Sequence, residues 1–353
     1  MVRAFPRIEH PIVQAPLAGG PSTPALTAAV SGAGGLGFLA AGYASPEQLR
    51  ADIAETRQLT QALFGVNIFA LAEAPLDEAA LARYAEELEP VAETHGVQLG
   101  EPRFDDDAFD SKLDLVCEER VPLVSFTFGC PAQAVIERLH EREIAVWVTV
   151  TEAREATLAA ELGVDALIVQ GVEAGGHRGS FEDVDGVGEI SLLALMRLIA
   201  RASELPLVAA GGIADGAGVA AVLAAGAQAA QIGTAFMCCP EAATAPAHRQ
   251  ALGGVASTAL TRAFSGRRAR GIVNEFMREH GARAPSAYPH VNHLTAPLRA
   301  AAREAGEPDL INLWAGEAHH LAESRPAAEL VVRWSADARA AIERLHRDLS
   351  AGE

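Results

Sequence analysis

The chain has 353 residues, 50% hydrophobic and 21% charged, so it can bury a large core and is not globally disordered. Its formal net charge of −18 excludes a phosphate-backbone grip on nucleic acid and attraction to anionic membrane surfaces. Lys112 is the only lysine, which argues against Schiff-base chemistry.

Short apolar or β-branched runs at 12–15, 36–40, 64–69, 123–128, 144–150, 166–170, 206–210 and 228–232 predict eight strands. Helical patterns at 22–33, 46–61, 77–94, 131–142, 152–162, 190–202 and 215–225 lie between them, with a further helix near 108–120. Strands alternating with helices imply parallel βαβ units, and eight strands close a (β/α)8 barrel, an α/β TIM-barrel fold. Asp105-Asp106-Asp107 reads as a solvated turn or helix start rather than a metal site. The apolar stretch 205–239 is interrupted by Gly211, Gly212, Asp215, Gly216 and Gly226, so it reads as strand, helix, strand and not as a membrane span.

Beyond residue 233 the alternation stops. Residues 241–252 look helical, 253–325 mix Gly, Pro and His irregularly, and 326–349 look helical again. The expected organisation is a barrel over 1–252, a substrate-covering elaboration over 253–325, and a C-terminal helix within 326–353 that packs back on the barrel. Cys117, Cys130, Cys238 and Cys239 form no C-x-x-C pair and read as small hydrophobes in a reducing compartment. Met1 to His10 lacks a signal-type apolar region, so the expected location is cytoplasmic.

In such a barrel the chemistry sits at the C-terminal ends of the strands. Strand one leads into Ala15-Pro16-Leu17, strand three holds Asn67, strand four carries Thr127, and strand six ends at Gln170. Strand six then breaks into the glycine turn Gly175-Gly176-His177-Arg178-Gly179. Glycines allow close backbone approach to a ligand, and a histidine there can serve as acid, base or donor. Arg178 is expected either to orient an acidic group or to pair with a carboxylate. Strand seven ends in Gly211-Gly212, and strand eight gives Gln231-Ile232-Gly233-Thr234. Loops after strands seven and eight are the usual phosphate site of this fold. The neutral amides Asn67, Gln170 and Gln231 suit a heterocycle with mixed donor and acceptor edges, so the ligand expected is a phosphorylated flat cofactor, for which FMN fits. His290, His293, His319 and His320 lack carboxylate or Cys partners at a recognisable spacing, and no metal is expected.

Gln14-Ala15-Pro16, Phe64-Gly65-Val66-Asn67, Val169 to Gly179, Ala209 to Ile213, Gln231 to Phe236, Thr261 to Gly271 and Asn312 to Gly316 resemble the nitronate monooxygenase family, once called 2-nitropropane dioxygenases. FMN-dependent enoyl-ACP reductases share a close version of the Glu-Ala-Gly-Gly-His-Arg-Gly motif, while the Phe-Ser-Gly-Arg stretch favours the monooxygenase branch. The resemblance implies FMN held by Ala15 to Leu17, Asn67, Gln170, Gly175, Gly176, Gly211, Gly212 and Gln231 to Thr234, with His177 facing the substrate. It implies oxidation of alkyl nitronates, typically propionate 3-nitronate, by O2 to a carbonyl compound and nitrite without NAD(P)H. A charged or donating His177 would hold the nitronate oxygens, or act as base towards a neutral nitroalkane. Leu17 stands where relatives commonly have Met, and Thr127 where some have His. Thr127 and Tyr288 are candidate substrate contacts. The partners implied are the small-molecule nitronate and O2, with a homodimer as candidate assembly.

Rival readings are an NAD(P)H-dependent FMN reductase acting on an enoyl thioester or quinone, a non-catalytic FMN carrier, and a flavin-free phosphate-binding barrel. Bleaching of the flavin by NADH would mark the first, flavin without turnover the second, and a colourless protein the third.

Overall fold

The computed structural model describes residues 5–350. Eight parallel strands form the main sheet: β1 (Ile12–Gln14), β2 (Gly37–Ala40), β3 (Phe64–Phe69), β4 (Leu123–Thr127), β5 (Ala145–Val150), β6 (Ala166–Gln170), β8 (Leu207–Ala210) and β9 (Ala229–Ile232). The two-residue strand β7 (Gly176–His177) lies outside this sheet, in the turn after β6. The order β1-β9-β8-β6-β5-β4-β3-β2 returns to its start, because Gln14 N–H donates to Leu36 O at 2.9 Å and Leu36 N–H to Ile12 O at 3.0 Å. The sheet is therefore a closed TIM barrel.

Crossover helices surround it: α1 (Pro24–Gly32), α2 (Pro46–Leu59), α3 (Glu78–Thr94), α4 (Phe109–Glu118), α5 (Gln133–His140), α6 (Ala153–Leu162), α7 (Leu192–Ala202) and α8 (Gly216–Ala224). Alternation along the strands sorts their side chains. On β5, Trp147 points into the barrel to pack with Phe38 and Phe5, while Val146 and Val148 join the layer shared with the helices. The interior is thus a packed core, and the open space lies at its C-terminal mouth.

The structure moves several expected boundaries for local reasons. β4 stops at Thr127 because Phe128 takes a left-handed φ of 78°. α1 begins at Pro24, where Thr23 Oγ1 accepts from Leu26 N at 3.0 Å. The helix expected at 241–252 shortens to α9 (Pro246–Leu252), led by its proline, and a 3-10 turn occupies Thr234–Cys238. The irregular reading of 253–325 is corrected: this stretch contains β10 (Thr258–Thr261), β11 (Ala269–Ile272), α10 (Glu275–His280) and α11 (His290–Ala305). β10, β11 and β7 form an antiparallel sheet that pairs Arg270 with Gly176 and Ala269 with His177. The final helix, α12 (Ala327–Ser350), packs on α8 and α1, with Trp334 edge-on to Phe236 at 5.1 Å.

Candidate active site

A cavity of about 960 Å³ lies at the C-terminal ends of the strands. β1 supplies Ala15, Pro16 and Leu17, β3 supplies Asn67, and β4 supplies Thr127. The segment after β6 supplies Gly175, Gly176 and His177 beside Gln170, while β8 and β9 lead to Gly211, Gly212, Gln231, Gly233 and Thr234. Tyr288 reaches it from the elaboration. Ile232 does not line the cavity. Its side chain is fully buried between barrel and helices, and its carbonyl accepts from Ala15 N at 2.8 Å.

His177 is the centre of an aromatic cage. Phe128, Tyr288 and Trp314 have ring centroids 5.8, 5.5 and 5.5 Å from its own. Its Nε2 lies 2.9 Å from Ser265 Oγ, which donates to the Arg267 carbonyl at 3.2 Å. That arrangement assigns the imidazole hydrogen to Nε2 and leaves Nδ1 as an acceptor. Burial, then Arg267 and Arg299, push His177 down to about 3. It is neutral at physiological pH, so of the charged or donating His177 expected from sequence the charged form is not the resting one. Positive potential comes instead from the two arginines. The Arg267 guanidinium lies 4.3 Å over the Phe128 ring and donates to the carbonyls of Arg178 and Ser180.

The glycine turn is tightly held. Gln170 Nε2 donates to the His177 carbonyl at 3.1 Å, and Gln170 Oε1 accepts from Gly179 N at 2.8 Å, so this amide fastens the turn. Arg178 is fully buried and among the described residues pairs with no carboxylate: its guanidinium donates to the carbonyls of Gly188, Gly171 and Gln170 at 3.1, 2.8 and 2.9 Å. A Cβ on Gly175 would stand 2.4 Å from Gly316 N, and Gly176 has φ 74°, which is why the turn needs these two glycines.

The remaining polar groups divide into committed and uncommitted ones. Asn67 Nδ2 donates to Ser125 Oγ at 2.9 Å and Thr127 Oγ1 at 3.0 Å, so Thr127 helps to orient Asn67. Gln231 is buried, and its Oε1 has no partner among the described residues. Tyr288 Oη lies 3.0 Å from Tyr43 Oη, joining the elaboration to the loop after β2. The acidic triplet starts α4, with Asp106 Oδ1 accepting from Ala108 N at 3.0 Å, and Asp107 also meets the buried Lys112 Nζ at 2.7 Å. Among the described residues no cluster could hold a metal ion. His319 is structural, with its ring nitrogens 2.9 Å from the carbonyls of Leu252 and Ala256.

Ser265, Arg267 and Trp314 fall inside the stretches that carry the family resemblance, but no local pattern assigns them roles. Phe128 ends the expected fourth strand, next to Thr127, without an assigned role, and Arg299 is brought to the site by the folded chain alone.

A closed (β/α)8 barrel with a deep polar and aromatic mouth defines an enzyme of the TIM-barrel class. A family model described as nitronate monooxygenase matches residues 2–336. The nitronate monooxygenase of Paraburkholderia phytofirmans is 41% identical over 349 residues, covering 96% of this chain and 95% of the relative. That of Pseudomonas aeruginosa is 43% identical over 335 residues, covering 92% and 95%. The crystal structure of nitroalkane oxidase from Streptomyces ansochromogenes superposes with a TM-score of 0.93 at 46% identity, covering 96% of this chain and 98% of that one. FabK from Thermotoga maritima is more distant, with a TM-score of 0.76 at 28% identity over 96% of both chains. The chain belongs to the nitronate monooxygenase family. Membership implies a flavin cofactor, and the residues present fit one: the cavity is large enough, and the orphaned Gln231 Oε1 awaits a donor such as a flavin ring provides. Among the described residues no helix is long and apolar enough to cross a membrane.

Proposed function

We propose that the chain binds FMN and oxidises alkyl nitronates, propionate 3-nitronate among them, with O2 and without NAD(P)H. The observation that carries this reading is the neutral His177, held by Ser265 inside an aromatic cage and flanked by the charges of Arg267 and Arg299. Gly212 and the Gly233-Thr234 amides at the start of the 3-10 turn would hold the FMN phosphate, and Asn67 and Gln231 the ring edges. When bound, the flavin supplies electron transfer and reaction with O2.

The chain's own contribution follows from charge. A nitronate is already an anion, so no carbon proton has to be removed before oxidation. The arginine field stabilises that anion beside the aromatic rings of the cage. Held at about 3, His177 Nδ1 is a weak base towards the α-carbon of a neutral nitroalkane, so the site favours substrates that arrive as nitronates. Tyr288, protonated because burial raises its phenol, offers a neutral donor beside His177.

The reading is tested by O2 consumption and nitrite release with propionate 3-nitronate, for the wild type and His177→Asn. It requires turnover by the wild type and at least a tenfold loss on substitution, roughly 1.4 kcal/mol of barrier. Equal turnover by both would remove His177 from the chemistry.

A further inference from the structure

Among the described residues, six non-glycine residues have a left-handed φ, and four of them line this one cavity: Tyr43 (66°), Asp107 (61°), Ala108 (53°) and Phe128 (78°). Such a backbone is costly for a residue with a Cβ, and it persists only where the surroundings over-determine it. For Tyr43 and Asp107 the surroundings begin at Lys112. This side chain is fully buried on α4, and its Nζ lies 2.7 Å from Asp107 Oδ2, its one carboxylate partner among the described residues. A buried ammonium holds its counter-ion closely, because leaving either charge alone is expensive. The other oxygen, Asp107 Oδ1, accepts from Tyr43 N at 2.9 Å. One carboxylate thus ties the start of α4 to the loop after β2.

Tyr43 carries this hold to the mouth. Gly42 lets the loop lie on the last residue of β3, since a Cβ there would stand 2.3 Å from Phe69 Cζ. The Tyr43 ring meets Phe69 edge-on at 5.5 Å, and its hydroxyl lies 3.0 Å from Tyr288 Oη. The Tyr288 ring is in turn 5.5 Å from His177. Tyr43 is 44% exposed, so it forms part of the outer edge of the cavity that it lines. The two tyrosines together make a bar from a barrel loop to the elaboration, closed by one hydrogen bond between hydroxyls.

We infer that Asp107, fixed by Lys112, is a positioning residue: it holds Tyr43 in its left-handed conformation against Tyr288, and so limits access to the mouth beside His177 and Trp314. It acts through Tyr43. The role concerns entry to the cavity and holds whichever reductant the site takes.

The test reads Trp314, which lines the cavity 5.5 Å from His177, whereas Trp147 and Trp334 are buried. Acrylamide quenching of tryptophan fluorescence is compared in the wild type, Lys112→Met/Asp107→Asn and Lys112→Met/Asp107→Gly. Both double variants remove the two buried charges together, so neither is left with a lone one. The asparagine keeps an oxygen for Tyr43 N and tolerates the left-handed φ; the glycine keeps the φ but loses the oxygen. Quenching in the asparagine variant stays near the wild-type value, and in the glycine variant it rises about threefold, the bar being open for more of the time. The rise disappears in a Trp314→Phe background. Equal quenching in all three proteins, an equal rise in both double variants, or a rise that survives Trp314→Phe overturns the assignment. Tyr43→Gly, which leaves the Lys112–Asp107 pair intact, sets the fully open limit and decides the matter if the glycine double variant does not fold: quenching equal to wild type again overturns it. In the flavin-loaded enzyme the glycine double variant raises KM for propionate 3-nitronate about fivefold and changes kcat less than about twofold. A fall in kcat at unchanged KM contradicts a role in access. If the wild type turns over no nitronate, the proposed activity fails, and the quenching alone decides the role of Asp107.

Discussion

His177 Nε2 sits 2.9 Å from Ser265 Oγ, a contact that joins the turn after β6 to a loop of the elaboration 88 residues later. Through it the elaboration fixes the ring that the barrel places in the mouth. Ser265→Ala removes the acceptor for the Nε2 hydrogen while leaving the cage rings in place. The expected result is a kcat about 10-fold lower with a midpoint of unfolding lowered by only a few degrees, since one hydrogen bond contributes about 1 kcal/mol. Steady-state kinetics and thermal melts on the same preparation check it. A large fall in stability with little change in kcat would make the contact structural.

The histidines also set an acid limit on stability. Burial pushes His177 to about 3 and His248 to about 4, both below the ordinary 6.5. The unfolded chain therefore takes up protons that the native state refuses. Their stabilising contribution is complete above pH 6.5 and is lost progressively as pH falls towards those native values. Each contributes a slope of up to about 1.4 kcal/mol per pH unit. Urea unfolding at pH 7.5 and 5.0 should give a smaller drop for His177→Asn than for the wild type. Equal drops would show that His177 is not held neutral.

Gln231 gives a prediction of two signs. Its Oε1 is buried without a partner among the described residues. Gln231→Leu should stabilise the flavin-free protein by about 1 kcal/mol, because it removes an unsatisfied polar group. The same change should weaken flavin binding about 10-fold. Melts of flavin-free protein and a fluorescence titration with FMN measure the two effects separately. A flavin affinity equal to wild type would remove Gln231 from the cofactor site.

The two glycines of the turn should respond differently to alanine. At Gly176 a Cβ meets open space but the φ of 74° is strained, a cost of roughly 1–2 kcal/mol. At Gly175 the Cβ collides with backbone, 2.4 Å from Gly316 N and 2.5 Å from the Ala315 carbonyl carbon. Gly175→Ala should therefore destabilise more and loosen the segment that carries Trp314. Denaturant midpoints for the pair give the order, and the reverse order would contradict this packing.

The barrel was legible because its strands are short, mostly apolar runs, nearly all buried on both faces and separated by helical patterns. The mouth was legible for a related reason: Asn67, Gln170, Gln231 and His177 interrupt or follow those runs, where polarity stands out. The antiparallel sheet of the elaboration was not. β7 is two residues long, and β11 carries Arg270, so neither shows the alternation that marks a strand. Their pairing joins residues more than 90 positions apart. Arg178 and Gln170 illustrate the other limit. Both are polar residues at the mouth, yet the fold spends them on backbone carbonyls and amides of the turn, a partnership that no local pattern records. Arg299 follows no strand and belongs to no motif, so only the fold, which buries it beside the cavity, brings it forward.

On the proposed function, electrons enter this site from a nitronate and not from a nicotinamide. The direct measurement is the visible spectrum of the flavin-loaded protein, mixed without oxygen first with propionate 3-nitronate and, separately, with NADH or NADPH. Prompt loss of the oxidised flavin band is expected with the nitronate and none with either nicotinamide. Bleaching by a nicotinamide, with the nitronate inert, would contradict it and point to a reductase acting on an enoyl thioester or quinone.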